Sequence, residues 1–317
     1  MADRGGSVVV GMDIGGTSIK MGVVTEGGKA LATSKVRTGT LDNEEAFAEV
    51  RDAAAALVGE AGLGASDVAA LGVDVPGVVL EDGTLAMAPN ITLDLNGLLA
   101  CLGSAFPTAR IAALNDANAA ALGEAWLGSG DASGSTVMVT LGTGVGAGVV
   151  IGGRVIAGAH GAAGEIGHIN VEPSETEACN CGCHGCLEQY ASARGLICLY
   201  REECEKDGAE PVEIAHTTDA LAVFEAARGG NAQARRACER VGHYLGRALA
   251  AVAVVVDPDA FVIGGGMSGG WDTLGEACVE RYREVAIVSC KDTPIRPASL
   301  GNDAGFLGAA RQAILAL

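Results

Sequence analysis

The sequence predicts an α/β protein of two domains. Short runs of β-branched residues alternate with alanine-rich stretches of helical periodicity, which is typical of strands connected by crossover helices. A chain of 317 residues is long for a single hydrophobic core. A hydrophobic fraction of 49% with only 19% charged residues favours a folded chain over a disordered one. We therefore expect several sheets divided between two compact regions.

The amino-terminal part contains strand signals and one clear helix. Ser7–Met12 and Met21–Glu26 are predicted strands joined by a glycine-rich turn. Asn43–Glu60 is a predicted helix, because Asn43 is a favoured N-cap and acidic residues follow it in the first turn. Leu71–Val79 is a strand interrupted by Pro-Gly, and Arg110–Asn115 is a strand that ends in polar residues before a helix starting near residue 117.

The rest of the chain repeats this theme after a Gly/Ser linker. Ser135–Val150 follows the same order of strand, Gly/Thr turn and strand as the amino terminus, which suggests an internal duplication. A helix from Asn231 to about Val255 is predicted as a support of the second domain. Val241, Leu245, Ala248, Val252 and Val255 form its apolar stripe. A strand in AFVIGGGMSGG follows, and a last helix from about Asp303 to Leu317 is expected to pack on the first domain.

Charge and cysteine usage narrow the class of protein. The formal net charge of −18 disfavours nucleic acid or an anionic membrane as partner, because both are bound mainly through clustered Lys and Arg. A small substrate is therefore expected. Six of the ten cysteines are scattered, a pattern typical of thiols in a reducing compartment. The longest apolar run, Ala248–Val256, is too short to cross a bilayer, and we expect a cytoplasmic protein.

The segments GEIGH (Gly164–His168) and CNCGCHGCLE (Cys179–Glu188) predict a metal site. Zinc favours four thiolate or imidazole ligands in a tetrahedron, and the predicted ligands are His168, Cys179, Cys181 and Cys186. Cys183 and His184 are rival ligands that would need another loop geometry, and the alternative is a set of unligated side chains. Three cysteines and one histidine leave no open position for water, so a structural zinc site is expected.

Three glycine-rich turns are candidates for phosphate or nucleotide contact. DIGGTSIK (Asp13–Lys20) and LGTGVGAG (Leu141–Gly148) allow backbone N–H groups to approach phosphate oxygens. Neither is a Walker loop or a Rossmann fingerprint, since strands are expected after both. One turn in each domain suggests a nucleotide gripped across a cleft. GGGM (Gly264–Met267) suits close passage of a flat ligand. Ordinary turns are the alternative in all three cases.

Asp116 is a candidate general base. It follows Asn115 at the end of a predicted strand, where a carboxylate can accept a hydroxyl proton while Asn115 orients the same substrate. The alternative is that Asp116 is the N-cap of the following helix, since Asp is a favoured capping residue.

Six motifs in this order, DIGGTSIK, LNDAN, LGTGVGAG, HGAAGEIGH, CNCGCHGCLE and VIGGGMS, resemble the ROK family of bacterial sugar kinases and repressors. The resemblance implies an actin-like ATPase (ribonuclease H-like) fold with sugar and ATP in a cleft between two α/β domains. The implied domains are residues 1–116, completed by a helix at about 301–317, and residues 117–300. No helix-turn-helix precedes Val8, which favours the kinase branch.

The resemblance also implies roles for individual residues. Asp116 would take the proton of the sugar hydroxyl that attacks ATP, Asp13 would position Mg²⁺ through water, and His168 would use one ring nitrogen for zinc and the other for sugar. The implied sugar ligands are Asn90, Asn115, Asp116, Glu165, His168 and Glu188. The implied phosphate and nucleotide contacts are Asp13, Gly15, Gly16, Thr17, Lys20, Gly142, Thr143, Gly144, Gly265 and Gly266.

The expected activity is ATP- and Mg²⁺-dependent phosphorylation of a hexose at its 6-hydroxyl, with glucose first. N-acetylmannosamine, N-acetylglucosamine, allose and fructose remain alternatives, because ITLDLNG follows Pro89–Asn90 where family glucokinases often carry an aromatic residue. A non-catalytic, sugar-responsive regulator is the competing class. The resemblance further implies a homodimer or homotetramer.

Overall fold

The computed structural model describes residues 6–80, 82–88 and 91–317. The strands are β1 Val8–Ile14, β2 Ser18–Thr25, β3 Ala30–Arg37, β4 Val68–Val75, β5 Val78–Val79, β6 Leu85–Met87, β7 Arg110–Asn115, β8 Ser135–Leu141, β9 Val145–Ile151, β10 Arg154–Val155, β11 Ala260–Gly264 and β12 Ile295–Pro297. The α-helices are α1 Glu44–Glu60, α2 Leu95–Ala105, α3 Asp116–Leu127, α4 Glu188–Ala191, α5 Ala193–Asp207, α6 Ala220–Arg228, α7 Ala232–Val256, α8 Trp271–Val285 and α9 Ala304–Leu315. Among the described residues, none of these helices is both long and apolar enough to cross a membrane.

The chain divides into two compact units. Unit 1 comprises Met1–Ser133, Gly148–Ala163 and Ser299–Leu317, and unit 2 comprises Gly134–Ala147 and Gly164–Ala298. Unit 1 therefore includes residues 117–133 and 148–163 in addition to the predicted first domain. The reason in the first case is that α3 packs on α9.

The sheet of unit 1 brings the ends of three strands to one edge. Its order is β3-β2-β1-β4-β7, with β1, β2 and β3 antiparallel and with β4 and β7 parallel to β1. Parallel strands end at the same edge, so β1, β4 and β7 present their last residues side by side. The register pairs Asp13 with Asp74 and Val75 with Asn115. Three polar side chains are thereby collected at this edge.

The second five-stranded sheet has the order β10-β9-β8-β11-β12. Its strand β8 lies beside β9 on one side and is parallel to β11 on the other, as β1 lies beside β2 and is parallel to β4. The two sheets therefore share one strand order, as the predicted internal duplication requires. A short antiparallel pair, β5 with β6, follows the interruption that Pro76–Gly77 makes after β4.

The helices begin and end close to the predicted positions. The Asn43 side chain caps α1 by accepting a hydrogen bond from the Ala46 N–H at 3.0 Å. Helix α7 buries four of the five predicted stripe residues, but the fifth, Val255, is 85% exposed. The prediction for Val255 is wrong, because the helix ends one residue later at Val256, and Asp257 follows as a C-cap in a left-handed conformation. Helix α9 packs on β1 and β4 and belongs to unit 1.

Close packing of α9 yields a stability prediction. A Cβ at Gly308 would overlap the Ala119 carbonyl oxygen of α3, whereas a Cβ at the exposed Gly59 of α1 meets nothing within 4 Å. Gly308→Ala is therefore expected to lower the free energy of unfolding by about 1–3 kcal/mol or more. Gly59→Ala is expected to raise it by up to about 1 kcal/mol. Urea unfolding of the two variants measures both, and an unchanged midpoint for Gly308→Ala would contradict the packing of α3 on α9.

Candidate active site

Three carboxyl side chains interact at the sheet edge of unit 1. Asp13 and Asp74 are register partners on the parallel strands β1 and β4. The third carboxyl belongs to Asp116. Asp74 affects the pKa of Asp13, and both Asp13 and Asp116 affect the pKa of Asp74. Asp74 has no exposed surface, and neither of its carboxyl oxygens has a hydrogen-bond donor within the described chain. Two carboxylates cannot hydrogen-bond to each other, so a proton on Asp74 is what would let it donate to Asp13.

Burial and mutual repulsion shift the acids of this cluster. Burial first, and then the charges of Asp13 and Asp116, raise the pKa of Asp74 well above its usual range. Burial also raises the pKa of Asp13, although a hydrogen bond donated by a protonated Asp74 and the charge of Lys20 oppose the rise. Asp74 was not among the predicted site residues. The sequence signal that could have identified it is an acid inside the otherwise apolar strand LGVDV.

The cost of burying Asp74 is expected to appear in the stability of the protein. Because its pKa is higher in the folded state than in the unfolded state, the unfolded chain releases this proton first, and the folded state loses relative stability as the pH rises above the unfolded value of about 3.9. Asp74→Asn removes the titration and still offers an N–H donor to Asp13. We expect the variant to be more stable than wild type at neutral pH by about 1–3 kcal/mol and to match it near pH 4.

Urea unfolding of wild type and Asp74→Asn at several pH values, in Mg²⁺-free buffer, tests this expectation. Asp67→Asn is the matched control, because Asp67 lies on the exposed turn before β4. A gap between wild type and Asp74→Asn that does not widen with pH would show that Asp74 is not held in its protonated form.

Asp116 is the first residue of α3, and its carboxylate is held by local hydrogen bonds. Asp116 Oδ1 accepts from the Ala117 N–H and from Asn115 Nδ2, both at 2.9 Å. The alternative role of Asp116 as N-cap is wrong: the cap is Asn115, whose Oδ1 accepts from the Asn118 N–H at 3.1 Å. Asn115 Nδ2 also donates to the Gly77 carbonyl at 2.9 Å. Asn115 therefore fixes both the helix start and the Asp116 side chain.

Burial also raises the pKa of Asp116, with a further rise from the charge of Asp13. The hydrogen bond from the Ala117 N–H acts in the opposite direction. The net rise gives the carboxylate a stronger affinity for a proton than an Asp side chain surrounded by water has, which suits a general base.

The turn after β1 is open. Gly15 N–H donates to the Ser18 carbonyl at 3.0 Å, and the Gly15 carbonyl accepts from Thr38 Oγ1 at 2.7 Å. Gly16 and Thr17 are exposed, and a Cβ built on Gly16 meets nothing within 4 Å. Lys20 lies on β2, where its ammonium pairs with the Asp303 carboxylate and donates to the Asn302 carbonyl at 3.2 Å. The predicted nucleotide contact of Lys20 would require it to leave or share this pair.

In unit 2, two of the predicted nucleotide elements line one cavity. A cavity of about 430 Å³ is lined by Gly142, Thr143 and Gly266. Asp219, which directly precedes α6, and Phe224 within α6 also line it. Gly265 has φ = +83°, and a Cβ there would overlap the Leu141 carbonyl oxygen. Glycine is therefore required at 265 both for its backbone conformation and for its contact with β8. The predicted turns at 142–144 and 265–266 thus meet in space.

The four predicted metal ligands converge in unit 2. One donor atom from each of His168, Cys179, Cys181 and Cys186 lies within 4.8 Å of the others. Cys181 Sγ and Cys186 Sγ are 3.6 Å apart, and Cys179 Sγ is 4.0 Å from Nδ1 of His168. Cys183 instead contributes a backbone carbonyl, which accepts from the Cys179 N–H at 2.7 Å and closes the loop. All ten cysteines carry free thiols.

The predicted sugar ligands of unit 2 lie beside this cluster. Glu165 and His168 are exposed on one short turn, with Glu165 Oε2 3.9 Å from Nε2 of His168. Because Nδ1 of His168 faces Cys179, Nε2 is left for another partner. Glu188 is half-buried at the start of α4, and its Oε2 accepts from the Val145 N–H at 3.0 Å. Asn90, the remaining predicted ligand, lies outside the described residues.

Comparison with known proteins identifies the family. The sequence signature of the ROK family matches residues 9–315. The chain belongs to the ROK family. The predicted membership and the actin-like ATPase fold are thereby confirmed, since solved ROK structures share the fold over nearly the whole chain.

Relatives and solved structures of the family cover this chain almost end to end. A glucokinase from Halalkalibacterium halodurans is 35% identical over 306 residues, covering 94% of this chain and 92% of the relative. A ROK hexokinase structure from Thermus thermophilus superposes with a TM-score of 0.79 at 33% identity and covers 98% of each chain. A ROK family glucokinase from Streptomyces griseus, solved with glucose and AMPPNP, has a TM-score of 0.72 at 32% identity and covers 98% of this chain and 100% of the other.

Proposed function

We propose that this ROK protein transfers the γ-phosphoryl group of ATP to the 6-hydroxyl of a hexose, most favourably glucose. The observation that carries the proposal is Asp116, a solvent-accessible carboxylate of raised pKa at the carboxyl edge of a sheet, oriented by Asn115 and by a backbone N–H. Similarity to glucokinases over more than nine-tenths of the chain supports the choice of reaction and of first substrate.

In the proposed reaction, Asp116 accepts the proton of the 6-hydroxyl while the hydroxyl oxygen attacks the γ-phosphorus. The bond between that phosphorus and the bridging oxygen breaks, and ADP leaves with its electron pair. Phosphoryl transfer depends mainly on alignment and charge neutralisation. Asp13 is proposed to hold Mg²⁺ through water, and the backbones of residues 15–17 and 142–144 to contact phosphate. The cavity beside Gly266 is large enough for the adenine ring.

The proposed hexose ligands are Asn90, Asn115, Glu165, His168 and Glu188. Adjacent sugar hydroxyls each offer a donor and an acceptor, which carboxylate, amide and imidazole groups can engage in pairs. Glu165 and Nε2 of His168 are both exposed and lie 3.9 Å apart, a spacing that suits two neighbouring hydroxyls. Neither side chain is committed to a short hydrogen bond elsewhere among the described residues.

A structural Zn²⁺ is proposed at the Cys/His cluster. Tetrahedral zinc with bonds of about 2.3 Å to sulfur and about 2.0 Å to nitrogen would hold its ligand atoms roughly 3.4–3.8 Å apart. The measured separations of 3.6 and 4.0 Å are close to this range. The ion would be held by His168, Cys179, Cys181 and Cys186. It would cross-link the two loops that carry these residues. His168 would then be held with its Nε2 free for sugar.

A panel assay tests the activity. ADP release is followed through a coupled reaction with ATP and Mg²⁺, using glucose, N-acetylglucosamine, N-acetylmannosamine, allose and fructose in turn. Sugar-dependent turnover with glucose at the highest kcat/KM is the expected result. A preference for another hexose would revise the substrate alone. Absence of turnover with every sugar, with retained sugar binding, would favour the non-catalytic regulator. Size-exclusion chromatography checks the proposed homodimer or homotetramer.

A further inference from the structure

The phosphate-binding turn and the predicted sugar ligands of unit 2 meet at one residue, Val145. Its N–H donates to Glu188 Oε2 at 3.0 Å. A Cβ at Gly167 would overlap the carbonyl oxygen of Val145. The turn that carries Glu165 and His168 therefore lies in direct contact with Val145. Val145 is the residue that immediately follows the Gly142–Gly144 turn. The segment that carries Glu188 and the segment that carries Glu165 and His168 therefore both contact the same end of this turn.

Two further contacts fix the turn from the same side. The Ala193 N–H donates to the Gly142 carbonyl at 2.8 Å. A Cβ at Gly144 would overlap Glu188 Oε2, so glycine is needed there for the carboxylate to reach the Val145 N–H. The segment from Glu188 to Ala193 thus holds both ends of the turn. A polar cavity of about 200 Å³ lined by Thr143, Cys179 and Glu188 lies where the turn and the Cys/His loop come together.

The two oxygens of Glu188 are differently engaged. Oε2 is bonded to the Val145 N–H, whereas Oε1 has no hydrogen bond within the described part of the chain. A carboxylate can serve an N–H with one oxygen and a hydroxyl with the other.

We propose that Glu188 is a positioning residue that joins the hexose subsite to the phosphate-binding turn, with Oε2 shaping residues 142–145 and Oε1 facing a sugar hydroxyl. This inference rests on the proposed function and deepens it. A hexose that engages Oε1 holds the Glu188 side chain in the conformation that orders the turn. Sugar and nucleotide then favour each other's binding through a shared element, since such coupling is reciprocal.

Two substitutions at position 188 separate the two tasks. Glu188→Ala removes the hydrogen bond to Val145, so AMPPNP affinity measured without sugar is expected to fall by about fivefold or more. Glu188→Gln keeps a side-chain oxygen for the Val145 N–H, so AMPPNP affinity without sugar is expected to stay within about twofold of wild type, while glucose affinity falls with the loss of the charged acceptor. Glu177→Ala is the matched control, because Glu177 is an exposed acid that lines the same cavity.

Isothermal titration calorimetry with AMPPNP and Mg²⁺, with and without glucose, gives these affinities. The inference is supported if Glu188→Ala weakens AMPPNP in the absence of sugar and abolishes the gain in affinity that glucose produces, while Glu188→Gln and Glu177→Ala do not weaken AMPPNP alone. Should Glu188→Ala fail to fold, Gly144→Ala displaces the same carboxylate and is expected to give the same loss.

Failure of the inference and failure of the proposed function give different results. If wild type binds AMPPNP and glucose but Glu188→Ala, or Gly144→Ala in its place, binds AMPPNP as tightly as wild type, only the inference is overturned. If wild type binds no AMPPNP, the proposed kinase function is overturned and the inference with it.

Discussion

Asp116→Asn is expected to lower kcat by roughly 10²–10⁴-fold, the usual contribution of a general base, while the fold and hexose affinity stay intact. The amide cannot accept the hydroxyl proton, but it keeps the size of the side chain. It also keeps an oxygen that can accept the hydrogen bond that the Ala117 N–H now donates to Oδ1. Stopped-flow or steady-state measurement of ADP release gives kcat, and calorimetry with glucose gives the affinity. Turnover near the wild-type value would show that Asp116 only supports the start of α3.

The pH dependence of the reaction offers an independent check on the same residue. The base must be ionised to act, so activity is expected to fall as the pH drops through the pKa of Asp116. Burial raises that pKa, and the acid limb of kcat/KM in the free enzyme should therefore lie above the ordinary Asp value of about 3.9. Residual activity of Asp116→Asn should lack this limb. An identical limb in the variant would assign the titration to another group.

Control variants distinguish chemistry from local structure at this site. Asn115→Ala removes the cap of α3 and the hydrogen bond to Asp116 Oδ1 at once, and it is expected to lower both stability and kcat. Asp116→Asn should lower kcat alone. Equal loss of stability in the two variants would contradict the assignment of the cap to Asn115.

The sequence predicted what depends on local patterns. The Asn43 cap, the interruption at Pro76–Gly77 and the strand that ends at Asn115 each follow from a few adjacent residues, and each is found. The four Cys and His residues of the cluster lie within nineteen positions, so their spacing alone indicated that they could converge. Recognition of six motifs then placed the chain in its family.

The sequence did not predict what depends on register and on distant contacts. Asp74 joins the acidic cluster only because β4 lies parallel to β1 with Asp74 opposite Asp13, and no local pattern specifies that pairing. The bond between Glu188 and Val145 joins residues 43 positions apart. The choice of Asn115 over Asp116 as cap also required the backbone, since both residues are favoured N-caps.

Loss of the proposed zinc is expected to have the largest effect on stability. Cys181→Ala leaves three donors, so the purified variant should contain little zinc where wild type contains one ion per chain. The free energy of unfolding should fall by on the order of 4 kcal/mol, as is typical when a structural metal is lost. Hexose affinity should fall as well, because His168 and Glu188 flank the loops that the ion would cross-link.

Cys183→Ala is the matched control for this experiment, because it removes a thiol from the same loop without removing a predicted ligand. Its side chain is exposed, and its contribution to the loop is the backbone carbonyl that accepts from the Cys179 N–H, which the substitution retains. Zinc content by atomic spectroscopy and thermal unfolding of both variants decide between the ligand sets. If Cys181→Ala retains zinc and Cys183→Ala loses it, the ligand is Cys183 and not Cys181. A wild-type protein without zinc would leave hydrogen bonds alone to close the loop, and His168 would then be free to use either ring nitrogen for the sugar.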